Sequence, residues 1–260
     1  MNDLPKVEAD ELDASRAPLL DHLIELRRRL IWSFVTLIVA FGIAFAFVDP
    51  IFTFLVQPLL EAGHSRMIFT GVMEAFFTRV KIAFFGALMI SFPMLAAQLW
   101  LFIAPGLYRN EKKAFLPFLL MTPVLFIAGA AMAYYFAVPV ALHFLLGYEG
   151  NLGGVTQEAL PGVGNYLDFI TKFLFGFGVS FLLPVLLMLI ERAGLLSLQQ
   201  LRKGRRYAIV AAFVVAAVLT PPDVVSQLLL AIPLVLLYEI ALIAIMLTNR
   251  RRSKKAPEGA

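Results

Sequence analysis

The chain has 260 residues, of which 60% are hydrophobic and only 15% charged, with no cysteine and a formal net charge of +4. A water-soluble domain could not keep so apolar a surface in solution, so the composition describes a polytopic membrane protein. The lack of cysteine excludes disulfides, iron–sulfur clusters and thiolate catalysis. The net charge reflects basic residues placed on alternate connections, which is a sign of topology and not of nucleic-acid binding.

In chain order, residues 1–14 carry Asp3, Glu8, Asp10, Glu11 and Asp13 and are expected to form a disordered acidic tail before a membrane domain over residues 15–249. Pro18 suits a first helical turn. Leu19, Leu23, Leu26 and Leu30 recur at three- and four-residue spacing, an apolar stripe fit for the membrane interface. Asp21, Glu25 and Arg28 or Arg29 are spaced for intrahelical ion pairs. By spacing alone this is either an interfacial helix with solvated charges or the carrier of a functional carboxylate.

Six apolar spans follow, near 30–48, 76–99, 114–136, 169–190, 207–219 and 224–247. The longer ones match the roughly 20 residues that cross a bilayer's hydrocarbon. The first connection, about 49–73, holds Pro50, Pro58 and Gly63 beside Ile51, Phe52, Phe54, Leu55 and Val56, and is expected to form a packed cap helix. Glu74 and Lys81, seven residues apart, share one helical face where the second span begins. That span ends at Pro105-Gly106, where proline and glycine break the helix. Asn110 is then an N-cap, and Glu111 either steadies the first turn of the third span or acts as a second carboxylate at the membrane edge. The connection about 147–168 is glycine-rich, and Asp168 and Lys172 are spaced to pair.

Between Arg206 and Thr220 only thirteen residues remain for the fifth span, about 20 Å of helix, well short of the usual thickness. Thinning of the bilayer or shielding by neighbours must meet that mismatch. A return helix from Asp223 reaches the same surface near Tyr238-Glu239. Glu239 therefore sits at a thinned interface, or else pairs within a tilted helix kinked at Pro233. The tail 250–260 is basic and expected to be disordered.

Lys6, Arg16 and Arg27–Arg29 precede the first span, and Arg109, Lys112 and Lys113 fill the second connection. Arg192, Arg202, Lys203, Arg205 and Arg206 fill the fourth, and Arg250–Arg252, Lys254 and Lys255 follow the last span, while Arg66 stands alone on the opposite connections. The positive-inside rule then makes both termini cytoplasmic. His22, His64 and His143 are scattered, and there is no metal-binding pair, nucleophile elbow or phosphate loop, so neither a catalytic residue nor a metal or cofactor is expected. A small-solute secondary transporter is the alternative. It would need charges near the midplane and matching repeats, and the spans have almost no central charge and no repeat.

Three runs carry a resemblance. Leu20-Asp21-His22-Leu23-Ile24-Glu25-Leu26-Arg27-Arg28-Arg29-Leu30 resembles the N-terminal signature of the TatC family, the core subunit of the twin-arginine protein translocase. Trp100-Leu101-Phe102-Ile103-Ala104-Pro105-Gly106-Leu107-Tyr108 with Glu111 is similar to that family's first cytoplasmic loop. Leu219-Thr220-Pro221-Pro222-Asp223-Val224-Val225-Ser226-Gln227 is similar to its turn between the last two spans.

The resemblance implies an all-α membrane protein of six transmembrane helices, a TatC-like bundle with short fifth and sixth helices and cytoplasmic termini. It implies a multi-pass subunit of the bacterial cytoplasmic (inner) membrane, a setting that fits the lack of a transit peptide before the first helix. It also implies binding of Arg-Arg signal peptides on folded precursors, with Glu25, Arg27, Phe102 and Glu111 as the recognition residues. A carboxylate pairs with a guanidinium in a forked geometry that an ammonium cannot copy. The partners implied are the single-span TatB and TatA subunits, further copies of the chain in a multimeric receptor complex, and membrane lipid, but no nucleic acid. Export is driven by the proton-motive force without a bound cofactor.

Pro58, Tyr166 and Asp223 fall on family positions of the outer side. Thr220 and Gln227 either hydrogen-bond a partner helix or satisfy backbone freed by Pro221 and Pro222. Leu182 stands where many relatives carry a fourth-span glutamate, so partner binding through an ionised group there does not carry over to this chain.

Overall fold

The computed structural model describes the backbone of residues 4–107 and 112–255, and the side chains of residues 23–102, 118–151 and 153–250. The fold is a helical bundle. Helices α1 (Leu4–Ala46) and α2 (Val48–Glu61) are followed by α3 (Glu74–Leu107) and α4 (Lys112–Met132), and a π-helical turn (Ala133–Ala137) then joins α4 to α5 (Val138–Leu146). A small antiparallel hairpin, β1 (Gly150–Leu152) and β2 (Val155–Gln157), leads to α6 (Val163–Ser180) and α7 (Leu183–Arg192). The chain ends with α8 (Leu198–Lys203), α9 (Arg205–Leu219) and α10 (Val224–Lys255). The acidic stretch from Leu4 is helical in continuity with α1, and α10 extends into the basic tail.

Among the described residues, five stretches are long and apolar enough to cross a bilayer: Leu23–Ala46, Glu74–Phe102, Phe118–Leu146, Val163–Arg192 and Val224–Arg250. The expected fifth span, α9, has 15 residues, about 22 Å of rise. It is short, as expected. The last helix is short only where it runs beside α9, since α10 has 32 residues in all. Arg205, the first residue of α9, bonds Glu239 at 2.7 Å and thereby sets the level at which α10 draws even with the start of α9. The Tyr238 hydroxyl donates to Leu201 O from the same level.

Prolines shape the third and fourth spans. Pro184 has no N–H to give Ser180 O, and the fourth span breaks there into α6 and α7. The Ser180 hydroxyl turns back to Gly176 O at 2.6 Å. In the third span the widened turn closes with Val138 N–H on Ala133 O, just before Pro139.

Small residues let the helices approach closely, the usual device where lipid supplies no hydrophobic drive between them. Ala40 and Ala44 of α1 pack against Ala83 and Ala87 of α3. Between α4 and α6 the fit is tighter. A Cβ on Gly129 would stand 2.6 Å from Phe177 O, and one on Gly178 would stand 2.6 Å from the Phe126 ring. The main core gathers Leu55, Leu59, Ile82, Leu167, Ile170, Phe173 and Phe177 around this seam, with Phe126 buried beside it.

One end of the bundle is capped by α2 and the connections 62–73 and 147–162, and these connections are clasped to each other. Val163 N–H donates to Ile68 O at 3.0 Å, and Ile68 N–H donates to Pro161 O at 3.2 Å. Glu74 does not act on Lys81. Its carboxylate accepts from the Gly164 N–H at 2.8 Å, from the Gly71 N–H at 3.1 Å and from the Thr70 hydroxyl at 2.8 Å, so one side chain caps the start of α6 and ties down the connection before α3. Lys81 instead bonds Asp168 across the helices at 2.8 Å, which replaces the local Asp168–Lys172 pair expected from spacing. A long lysine on a neighbouring helix outcompetes one four residues along because the helix axes cross near it.

Candidate functional site

At the end of the bundle opposite the cap, α1 and α3 part to leave a cleft of about 400 Å³ lined by Glu25, Arg28, Arg29, Trp32, Met94, Gln98 and Leu101. The helical repeat puts Glu25, Arg28, Arg29 and Trp32 on one face of α1, and Met94, Gln98 and Leu101 on the facing side of α3. The cleft is therefore polar at its mouth and apolar on its flanks.

Glu25 is the one carboxylate among the lining residues. Its Oε1 accepts from Arg29 Nε at 3.0 Å and from an Arg29 Nη, and the other Nη lies 3.4 Å from the Gln98 side-chain oxygen. The carboxylate thus already holds a guanidinium, the chemistry anticipated for it. Arg27 is exposed and lies about 200° round α1 from Glu25, away from the cleft face. Phe102 is half-buried and follows Leu101 at the cleft's edge. Asn110 and Glu111 lie outside the described residues. Of the four residues expected to recognise a signal peptide, Glu25 lines the cleft, Phe102 follows a lining residue in sequence, and Arg27 points away from it.

The capped end explains two more residues. Pro58 cannot donate to Phe54 O, its partner four residues back. Tyr134, on the π-helical turn, supplies a donor instead: its hydroxyl lies 2.7 Å from Phe54 O, and its ring stacks on Phe54 with centroids 4.3 Å apart. The buried Tyr166 hydroxyl donates to Leu55 O at 2.8 Å. Pro58 and Tyr166 are therefore parts of one device that fixes α2 to the bundle. Tyr134, its third member, has no signal in the sequence, because its inward rotation depends on the extra residue of the π turn.

At the α9–α10 turn, Asp223 is the N-cap of α10, accepting from Ser226 N–H at 2.7 Å. The Thr220 hydroxyl bonds Ala216 O at 2.9 Å, and Gln227 reaches across to Phe213 O at 3.3 Å. Both polar side chains thus have partners within the hairpin. Leu182 lies at the α6–α7 break, half-buried, with its N–H on Val179 O.

Known proteins share this arrangement. The family model for TatC, the Sec-independent protein translocase protein, matches residues 21–233. The chain belongs to the TatC family. A TatC relative from Magnetococcus marinus is 47% identical over 242 residues, covering 92% of this chain and 88% of the relative. One from Aquifex aeolicus is 40% identical and covers 91% and 98%. A solved crystal structure of a twin-arginine translocase receptor TatC in detergent superposes with a TM-score of 0.77 at 39% identity, covering 86% of this chain and 98% of the other.

Six of the seven lining residues were not singled out from the sequence as site residues: Arg28, Arg29, Trp32, Met94, Gln98 and Leu101. The spacing from Glu25 to Arg29 announces a possible pair. Nothing in the sequence puts Gln98 opposite it, since that depends on how α1 and α3 cross.

Proposed function

We propose that this chain is the receptor subunit of a twin-arginine translocase, taking the Arg-Arg signal peptides of folded precursors at the end of the bundle that carries the Glu25 cleft. As a TatC family member it is a multi-pass protein-translocase component and not an enzyme. The observation that carries the reading is a guanidinium seated on Glu25 inside a cleft between two spans, with two Arg29 N–H groups on the one oxygen Oε1. An arginine of a signal peptide is the same chemical group. Phe102 offers it an aromatic edge and Glu111 a second carboxylate, while Arg27 serves recognition from the far face of α1.

In this reading the Glu25 end is cytoplasmic, as are both termini, and the capped end faces outward across a bacterial inner membrane. The basic connections all fall at the Glu25 end, as the positive-inside rule requires. Single-span TatB and TatA subunits, further copies of the chain and the proton-motive force complete the machine. Thr220 and Gln227 present the polar stretch of the α9–α10 hairpin to a partner helix, and Pro58, Tyr166 and Asp223 keep the outer side in shape for it.

Site-specific photocrosslinking from position 102 tests the reading, with precursors bearing Arg-Arg or Lys-Lys signals offered to membranes. Strong crosslinks with Arg-Arg alone, lost in Glu25→Ala and in Glu111→Ala, are expected. Equal crosslinking of the two signals overturns the carboxylate-fork mechanism.

A further inference from the structure

Glu25 is not an empty receptor. Arg29 holds it from four residues along the same helix, with Arg29 and Glu25 side chains only 21% and 33% exposed. Arg28 lines the same cleft. Among the described lining residues there are two guanidiniums and one carboxylate.

While Arg29 keeps two N–H groups on Oε1, only Oε2 of Glu25 is open to a third guanidinium, one acceptor too few for a forked pair. If Arg29 lets go, the newcomer finds a carboxylate ready for a forked pair. Arg29 has an alternative within reach, because the Gln98 side-chain oxygen on α3 already lies 3.4 Å from it.

We propose that Arg29 is an internal occupant of Glu25 that a signal arginine must displace, and that it thereby sets the affinity threshold of the receptor. The proposal rests on the reading of Glu25 as the receptor carboxylate. Apparent affinity is the intrinsic affinity scaled by the fraction of molecules in which Arg29 is off Glu25. That fraction does not depend on which ligand arrives. Arg29 therefore weakens Arg-Arg and Lys-Lys signals by one common factor. The ratio between the two signals comes from the fork geometry at Glu25 itself, which an ammonium lacks. For a partly exposed pair four residues apart, the common factor is on the order of two- to fivefold.

The test is equilibrium binding of fluorescent Arg-Arg and Lys-Lys signal peptides to the full chain in lipid nanodiscs. Arg29→Gln is expected to tighten both peptides by the same factor. It should exceed Arg28→Gln by two- to fivefold, because the latter removes equal charge from the same wall without freeing Glu25. Arg29→Lys, which keeps the charge but loses the fork, is expected to show part of the gain, and it decides the matter if Arg29→Gln fails to fold. Gains no larger than that of Arg28→Gln, or unequal gains for the two peptides, overturn the proposal. Glu25→Gln separates the two levels. If it leaves Arg-Arg binding unchanged, the receptor reading itself fails. If it weakens binding while Arg29→Gln does no more than Arg28→Gln, only the role of Arg29 falls.

Discussion

The Tyr134 hydroxyl donates to the main-chain oxygen of Phe54, the acceptor that Pro58 leaves without its helical partner. A proline in the cap helix and a tyrosine in the third span thus form one unit, tied through a single carbonyl. Such a group, partly withdrawn from water, costs free energy if left unpaired. Tyr134→Phe is expected to lower thermal stability by about 1 kcal/mol. With Ala at position 58 an N–H becomes available to Phe54 O, so Tyr134→Phe combined with Pro58→Ala is expected to lose less than Tyr134→Phe alone. Thermal unfolding in detergent of the single and double variants reads the difference, and strict additivity would break the link between the two residues.

The α4–α6 seam allows a sharper expectation. Gly129→Ala drives a methyl to within 2.6 Å of a backbone oxygen, which cannot step aside as a side-chain tip can. Overpacking of this kind costs about 1 to 3 kcal/mol. Gly42, with nothing within 4 Å of an added Cβ, is the control. Melting temperatures should fall for Gly129→Ala and stay level for Gly42→Ala.

His64 and Glu149 clasp the two connections of the capped end, with Nε2 and Oε1 2.7 Å apart. His64 Nδ1 also faces an acceptor, Ala62 O at 3.1 Å, so only the imidazolium donates to both. The bond to Glu149 accordingly raises the His64 pKa above its ordinary 6.5, against a smaller opposing effect of desolvation. The same bond, with the Ala159 N–H, lowers Glu149 below its ordinary 4.5. The His64 contribution to stability is full below 6.5 and is lost as pH rises through the raised value. The Glu149 contribution is full above 4.5 and is lost as pH falls through the lowered value. The clasp is therefore firmest between these limits. Hydrogen exchange of the connections 62–68 and 147–159 should accelerate as pH rises past the His64 transition, and Glu149→Gln should move that transition back toward 6.5. A His64 titration unmoved by Glu149→Gln would count against the clasp.

The length of α9 bears on the bilayer. At 15 residues it gives about 22 Å of rise against roughly 30 Å of hydrocarbon. Val210, Val214 and Val218 are exposed along it and meet lipid. Spin labels at these positions are expected to report a bilayer several ångströms thinner than beside Ile38 or Ile43 of α1. Normal thickness at both places would show that neighbouring subunits, and not lipid, absorb the mismatch.

Much of the fold was legible because hydropathy and helical period are local properties. The apolar spans, the cap helix after the first span, the α9–α10 turn and the shortness of α9 follow from runs of apolar residues and from prolines, whereas the fourth span was read as unbroken over 169–190 and divides at Pro184. The Glu25–Arg29 pair was legible for the same reason, as it lies within one helix. The partner of Lys81 was not. Spacing offered Glu74 on its own face and left Asp168 to Lys172, whereas Asp168 bonds Lys81 from a neighbouring helix and Glu74 caps the start of α6. Gln98 opposite Arg29 and Tyr134 beneath Pro58 were equally out of reach.

The sequence by itself determined the membrane class, the alternation of basic connections, the positions of the helices and, through its motifs, the family. The tertiary structure alone decided which polar groups meet: Glu25 with a cleft shared by α3, Tyr134 with Phe54, His64 with Glu149. The reason is geometric. A period of 3.6 residues says which side chains share a face of one helix, but the rotation and crossing of packed helices, set by small-residue contacts such as Gly129 on Phe177 and by a single π turn, say which face each one sees.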